Sequence, residues 1–383
     1  MRAAAKYNLD EASRAKLEGI CAAIMQRFVS GAYERIDLPV LQPADLYLDM
    51  AGEDIRERMF VFDDPMGNEL CLRADLTIPL CRFVLDHKER FPARHSCLGS
   101  VFRFDVGTSG ATEMLQAGIE CLGGPPGIAG DIEVLELACA ALAAAGMSAT
   151  LLTLGDVSLF PALLADLGLD EIWQRRFGYA FRHPSLLQPT LADMRAGRRP
   201  KARTFPIDFA RVAQSEAEAF VSQRVGLADG EEVSGRSAAD IAARLVDRAK
   251  AAAAPLPDAK SLDVIEAFLA IEGVADQAIL RLKSLAAGAR FAKALARLEE
   301  CAHRARTHQA ADDVMISTTL GRSFVYYTGF VFSLSAPGES EPLAAGGRYD
   351  RLLSDLGARE PKAAVGCAIW PERILAAQGA PNG

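Results

Sequence analysis

Much is missing from this sequence of 383 residues, and each gap excludes something. None of its eight cysteines, at positions 21, 71, 81, 97, 121, 139, 301 and 367, is spaced from another as Cys-x-x-Cys. In a chain this long that speaks against a disulfide framework and predicts reduced, mostly buried thiols, hence a cytoplasmic protein. The five histidines are scattered and no His-Glu-x-x-His occurs, so no metal site is expected. There is no phosphate-cradling Walker loop, and Gly346-Gly347 belongs to no complete dinucleotide fingerprint; alone it reads as a turn. No cofactor is expected. A basic excess is lacking too: the net charge is −8 and the isoelectric point about 5.3, which argues against a broad nucleic-acid surface. The longest nearly apolar stretch, Val134 to Met147, is too short to span a bilayer and contains Glu136. Met1 to Lys16 has no apolar core of the kind a signal peptide needs. No repeat with a period of about 20 to 50 residues is present.

What remains is an ordinary globular composition, 50% apolar and 24% charged. The length predicts two or three domains at roughly 150 residues each. Leu17, Ile20, Cys21, Ile24 and Phe28 recur at helical spacing, so a helix runs from Asp10 to about Phe28, with Gly31 just past its end. An extended segment, Ile36 to Leu41, carries Pro39. Met59 to Phe62 and Glu69 to Arg73 read as strands around the polar turn Asp63 to Asn68. Two more strands, Cys97 to Asp105 and Glu113 to Leu122, flank a Gly/Ser/Thr loop from Val106 to Thr112. Period-two alternation on the second puts Gln116, Gly118 and Glu120 on one face, and on the first puts Arg103 and Asp105 together. Such a face reads equally as the floor of a polar pocket or as a solvated surface.

After the break at Gly123 to Gly127, Asp131 is placed to cap a helix ending near Gly146, followed by a strand from Thr150 to Leu154. From about 170 to 311 the pattern turns alanine-rich and helical, with Ala251 to Pro257 as a linker or kink. Strand signals return at Ser323 to Leu334 and at Ala363 to Ile369, and a short helix opens at Pro371. The divisions expected are 1–170, a mainly helical insertion at 171–311, and 312–383.

Taken singly, Arg73, Arg103, Gln116, Glu120, Tyr326 and Tyr327 are ordinary structural residues. In order they form a series: Leu72-Arg73-Ala74-Asp75-Leu76-Thr77, Phe102-Arg103-Phe104-Asp105, Gln116-Ala117-Gly118-Ile119-Glu120, Tyr326-Tyr327-Thr328-Gly329, Ala345-Gly346-Gly347-Arg348-Tyr349-Asp350, and Val365-Gly366-Cys367-Ala368-Ile369 with Glu372-Arg373. This series resembles the catalytic domain of histidyl-tRNA synthetase, a class II aminoacyl-tRNA synthetase, over about 1–170 and 312–376. The resemblance implies an α+β fold with an antiparallel sheet flanked by helices. It also implies a histidine site. Asp75, Thr77 and Gln116 match the residues that hold the ammonium. Glu120, Tyr326 and Tyr327 match those on the imidazole, and Arg103 and Arg322 match arginines facing carboxylate or phosphate oxygens, a task suited to the guanidinium fork. Buried charges of this kind are costly unless paired, so the set makes sense around a zwitterion. An internal network without a ligand is the competing reading.

Departures from the synthetase are as informative. The sequence stops ten residues after Arg373, where the synthetase continues into an anticodon-binding domain, so none is expected here. The loop from Val106 to Glu113 lacks the basic and aromatic residues that grip ATP and the tRNA end. Losing a donor to a transition-state charge typically costs about 3–4 kcal/mol. Ile369-Trp370-Pro371 stands where the family has a glycine, and an indole there would fill space near the nucleotide. Asp75 replaces a glutamate and Val325 an acidic residue. This pattern resembles the family of ATP phosphoribosyltransferase regulatory subunits, which implies no catalysis by this chain and no catalytic residue of its own. It implies a partnership with the short-form catalytic subunit that joins ATP to phosphoribosyl pyrophosphate in the first step of histidine biosynthesis. It also implies feedback by histidine as an allosteric effector. Pairing through the segment around Ile36 to Leu41 implies a homodimer within a hetero-oligomer. Neither nucleic acid nor membrane is an expected partner. The alternatives are a minimal synthetase or histidine-activating ligase, which would need ATP binding, and a free-standing histidine sensor.

Overall fold

The computed structural model describes residues 9–47, 58–104, 112–147, 150–198, 207–225, 237–285, 288–308, 314–322, 324–339 and 341–379. The expected loop from Val106 lies outside them up to Ala111, as do Asp105 and Ser323. The chain divides into two compact units, one of residues 1–159, 269–286 and 291–383, the other of 160–268 and 287–290. The helical stretch expected at 171–311 is therefore shared out: 275–284 and most of 289–308 pack with the first unit.

The first unit opens with helix α1 (Glu11–Ser30), whose N-cap Asp10 accepts from Ser13 N–H at 2.8 Å. Such a cap contributes about 1 kcal/mol. Its buried stripe, Leu17, Ile20, Cys21, Ile24 and Phe28, is the one the spacing predicts. Strand β1 (Glu34–Arg35) pairs in parallel with β5 (Ala93–Phe102), which runs antiparallel to β6 (Glu113–Leu122). Of the extended segment only Leu41 joins a ladder, at the start of β2 (Leu41–Pro43), which lies beside β4 (Glu69–Leu72); β4 also pairs β3 (Val61–Asp63). The turn between β3 and β4 is tied by Asp64, whose Oδ1 accepts from Met66 and Asn68 N–H at 2.8 and 2.9 Å.

Helix α2 (Thr77–Asp86) follows, and later α3 (Ile128–Ala144). Asp131 does not cap α3 as the sequence predicts. The cap position is Gly127, and the Asp131 carboxylate, one turn in, takes Arg348 Nε at 2.7 Å instead. Strands β7 (Leu151–Asp156), β8 (Glu272–Val274), β9 (Val314–Ser317), β10 (Phe330–Ser335), β11 (Pro342–Arg348) and β12 (Ala364–Ile369) complete the main sheet. Among the described residues it has nine strands in the order β1-β5-β6-β12-β11-β10-β7-β9-β8. It is antiparallel except at the pairs β1–β5 and β7–β9.

Gly346 and Gly347 are not a turn; they lie inside β11. A methyl group on Gly346 would fall 2.4 Å from Gly366 O, so glycine lets the neighbouring strand approach. Helices α10 (Ala275–Ser284), α11 (Ala289–His308), α12 (Leu352–Asp355) and α13 (Pro371–Gly379) finish this unit. Pro371 holds the first position of α13 as predicted. On one side of the sheet α1 packs against α3 and α13. A second core joins α2 and α12 to both sheets through Leu80, Val84, Val101, Tyr349 and Leu353.

The second unit consists of α4 (Leu159–Asp166), α5 (Glu171–Arg182), α6 (Pro184–Arg195), α7 (Gln214–Val225), α8 (Ala238–Ala253) and α9 (Ala259–Leu269). Phe160 stacks on Phe181 at 4.3 Å and lies 5.5 Å from Phe268. The chain after α8 is pinned by Trp173 Nε1, which donates to Pro255 O at 2.6 Å. No helix among the described residues is long and apolar enough to cross a membrane, and no disulfide joins the cysteines.

Arg348 ties the first unit together. Its Nε bonds Asp131, its Nη1 reaches Asp350 Oδ1 at 2.9 Å, and its Nη2 donates to Gly127 O at 2.8 Å. Burial pushes the Asp131 carboxyl up to about 6, and the adjacent guanidinium opposes that rise. Replacing Arg348 with Met leaves Asp131 buried without its partner, and the expected loss is about 3–5 kcal/mol in denaturant unfolding. The double variant with Asp131→Leu recovers part of it. A single variant as stable as the parent would show the pair to be dispensable.

Candidate functional site

The strands that meet at the centre of the main sheet build one cavity. On β6, Gln116 and Glu120 share a face, as the alternation predicts. On β12, Gly366 and Ala368 lie in register with Glu120 and Gly118. Cys367 and Trp370 also line the space, with Ala345 of β11 and Tyr349 just after it. Asp75 and Thr77, at the start of α2, Arg103, and the aromatic group Phe324, Tyr326 and Tyr327 complete the wall. The free space enclosed is about 30 Å3, room for about one or two water molecules.

Seven of the eight site residues expected from sequence thus meet here: Asp75, Thr77, Arg103, Gln116, Glu120, Tyr326 and Tyr327. Arg322 does not line the cavity; it sits in the turn before Phe324, and partial burial holds its basicity below normal. Arg103 stands just past the end of β5 rather than on it, with Nε donating to Ala74 O at 2.7 Å. Tyr326 and Tyr327 lie in a turn before β10, not on a strand. Arg73 is buried outside the cavity, and its guanidinium donates to Ser100 O at 2.7 Å and Leu38 O at 2.5 Å.

Glu120 is the centre of the site. It is 3% exposed, and both carboxylate oxygens are occupied. Thr77 Oγ1 donates to Oε1 at 2.6 Å, and the Tyr349 hydroxyl donates to Oε2. Burial pushes the Glu120 carboxyl up to about 8; the two hydroxyl donors oppose the rise and the nearby Asp75 adds to it. When protonated, the acid can donate to one hydroxyl and accept from the other, because hydroxyls do both. The carboxylate fits only because residue 366 is glycine: a methyl group there would fall 1.5 Å from Glu120 Oε2.

Asp75 is likewise buried and raised, chiefly by desolvation, with Arg103 opposing. Its Oδ1 accepts from Ile78 N–H at 3.0 Å, which anchors the first turn of α2. Aromatic rings close the other side: Tyr326 meets Tyr327 edge-on at 4.9 Å and Tyr349 at 5.9 Å. Burial raises both hydroxyls of the tyrosine pair, so they remain neutral donors.

Sequence reasoning assigned no role to Tyr349, although it quoted the Gly346-Gly347-Arg348-Tyr349-Asp350 segment that carries it. Trp370, expected from the sequence to fill space near a nucleotide, stands in the wall of this cavity, under the Arg373 guanidinium at 4.5 Å. Among the described residues no group of three or more His, Cys, Asp or Glu side chains could hold a metal.

The chain matches the family model of histidyl-tRNA synthetase over residues 7–186 and 221–374. It is 36% identical to the ATP phosphoribosyltransferase regulatory subunit of Chelativorans sp. over 94% of this chain and 97% of that one. The protein of that name from Rhizobium meliloti is 38% identical, over 89% of this chain and 91% of its own. Among solved structures, one described as an ATP phosphoribosyltransferase regulatory subunit/histidyl-tRNA synthetase from Bacillus halodurans superposes with a TM-score of 0.65 at 21% identity, covering 96% of this chain and 80% of that one. Histidyl-tRNA synthetase from Nostoc sp. gives 0.61 at 15% identity, over 95% of this chain and 71% of its own. These last two likenesses concern the fold.

The raised Glu120 carboxyl has a sign that can be measured. Between its ordinary value near 4.5 and about 8, the folded chain holds a proton that the unfolded chain has released. Its contribution to stability is therefore complete below about pH 4.5 and is lost as pH rises through 8. Glu120→Gln should flatten this part of the stability–pH curve in denaturant titrations at pH 5, 6.5 and 8.5. An unchanged slope would show that Glu120 titrates as an exposed carboxylate.

Proposed function

The chain belongs to the histidyl-tRNA synthetase family, among the ATP phosphoribosyltransferase regulatory subunits, and from that footing we propose that it regulates by holding histidine in the cavity around Glu120. It is a non-catalytic subunit of histidine biosynthesis, and its partner is the catalytic ATP phosphoribosyltransferase. The observation that carries the histidine reading is the buried Glu120 carboxyl set between a threonine and tyrosine hydroxyls, a hydrogen-bonding group able to meet an imidazole. Gln116, Asp75 and Arg103 supply acceptors and a cation for the charged ends of an amino acid. The enclosed space is smaller than histidine, so entry displaces part of the aromatic wall; Phe324, 38% exposed, has the most room to move.

Feedback then follows from linkage. Histidine binds one arrangement of the assembly better than another and shifts the population. A coupling of about 1–3 kcal/mol corresponds to roughly 5- to 150-fold inhibition. Self-association through the N-terminal segment is the second element of the proposal. Val29, Val40, Leu41 and Phe62, all apolar, are each at least 39% exposed, a surface that association would cover. Assembly and pathway both suit a cytoplasmic protein that binds neither nucleic acid nor membrane.

Mixing the purified chain with the short catalytic subunit should produce turnover that neither has alone and that histidine suppresses. Glu120→Ala should keep the turnover, weaken histidine binding in calorimetry at least tenfold, and lose the suppression. Histidine-dependent pyrophosphate exchange by this chain alone would overturn the regulatory reading. Unaltered binding in the variant would remove Glu120 from the site. In sedimentation the parent should run as a dimer and Leu41→Asp as a monomer; a monomeric parent would refute self-association.

A further inference from the structure

Two polar atoms in the cavity wall are buried without a hydrogen-bond partner among the described residues, Gln116 Oε1 and Trp370 Nε1. Both residues are more than nine-tenths buried, at 3% and 7% exposure. Register makes them neighbours. The last pair between β6 and β12 sets Ile369 opposite Ala117, so one step further Trp370 comes level with Gln116. Opposite residues of an antiparallel pair project from the same face. Trp370 is also firmly held. Its backbone N–H donates to Leu343 O at 2.9 Å, and the Arg373 guanidinium over its ring is itself bonded to Pro342 O at 2.7 Å and Glu341 at 3.1 Å. Buried indole N–H groups normally find an acceptor, and Trp173, with Pro255 O at 2.6 Å, does so. Trp370, which lines the cavity, has its one donor buried and without a partner among the described residues.

We propose that Trp370 is a recognition residue of this site, its indole N–H donating to the α-carboxylate of the amino acid whose α-ammonium the family resemblance already assigns to Gln116. The inference rests on reading the cavity as a histidine site and narrows its ligand to a free amino acid with both charged ends. The indole N–H is only a donor and the amide oxygen only an acceptor. On residues that stand level in the wall of one cavity, they match a carboxylate and an ammonium borne on one carbon atom. A ligand with an imidazole but no carboxylate satisfies Gln116 and Glu120 and leaves Trp370 unpaired. The indole that the sequence places at a glycine position of the synthetase thus does more than fill space.

The test compares histidine with histamine, which keeps the ring and the ammonium and lacks the carboxylate, by calorimetry on the full chain. The parent should prefer histidine. In Trp370→Phe that preference should fall by roughly tenfold or more, the range for a hydrogen bond to a charged group, with histamine affinity unchanged. A preference that survives the substitution, in a chain that binds histidine, overturns the role of Trp370 and leaves the cavity reading standing. A parent that takes up neither ligand overturns both. A second measurement needs no variant. The sequence has two tryptophans, so an indole-labelled chain shows two N–H resonances. The Trp370 proton should move downfield with histidine and not with histamine, while that of Trp173 stays still; an unmoved Trp370 signal at saturating histidine overturns the proposal.

Discussion

A buried carboxyl group is the constraint on which this site is built. Glu120 lies in the middle of the sheet with both oxygens taken by hydroxyl donors, from α2 on one side and from the residue after β11 on the other. Removing a carboxylate from water is costly without such donors, and here it is met partly by partners and partly by keeping the proton. The same requirement reaches into the backbone. Only a glycine at 366 lets the neighbouring strand run past the carboxylate, and Thr77 must begin a helix at that spot for its hydroxyl to point inward.

A second buried charge, on Arg348, serves the scaffold. It binds Asp131 on α3 and the carbonyl of Gly127 at the cap of that helix, and it also holds Asp350 beyond β11, so it joins the start of α3 to the end of a strand more than 200 residues away in sequence. Asp350 also accepts from Ala364 N–H at 2.9 Å, which fixes the start of β12. The segment Arg348-Tyr349-Asp350 thus divides its work: the charged pair holds the strands, and the tyrosine between them is presented to the cavity. Neighbouring residues with opposite side-chain directions can do both at once.

On the proposed reading, the function follows from what such a pocket retains. Hydrogen-bonding groups suited to an amino acid are gathered on the class II synthetase fold, while a bulky indole under Arg373 stands in the wall, at a position where the resemblance to the synthetase implies a glycine. A site that binds without transforming its ligand can still act, because differential affinity for two states of an assembly is enough to shift between them.

How much of this was readable in the sequence differs from residue to residue. Alternation along 113–122 put Gln116 and Glu120 on one face, and the stripe of α1 was plain, because strand and helix periods are properties of the local backbone. The family likeness gathered seven of the eight expected site residues, although Arg322 stayed out of the wall. Asp131 looked like a cap because nothing nearby shows that its partner lies 217 residues away. Tyr349 meets Glu120 across 229 residues, and the level position of Trp370 with Gln116 depends on the register of two strands distant in the chain. Local sequence determined which elements form and which face each residue takes; tertiary structure alone decided which faces meet, since buried polar groups choose partners by where the packed sheet leaves them without water.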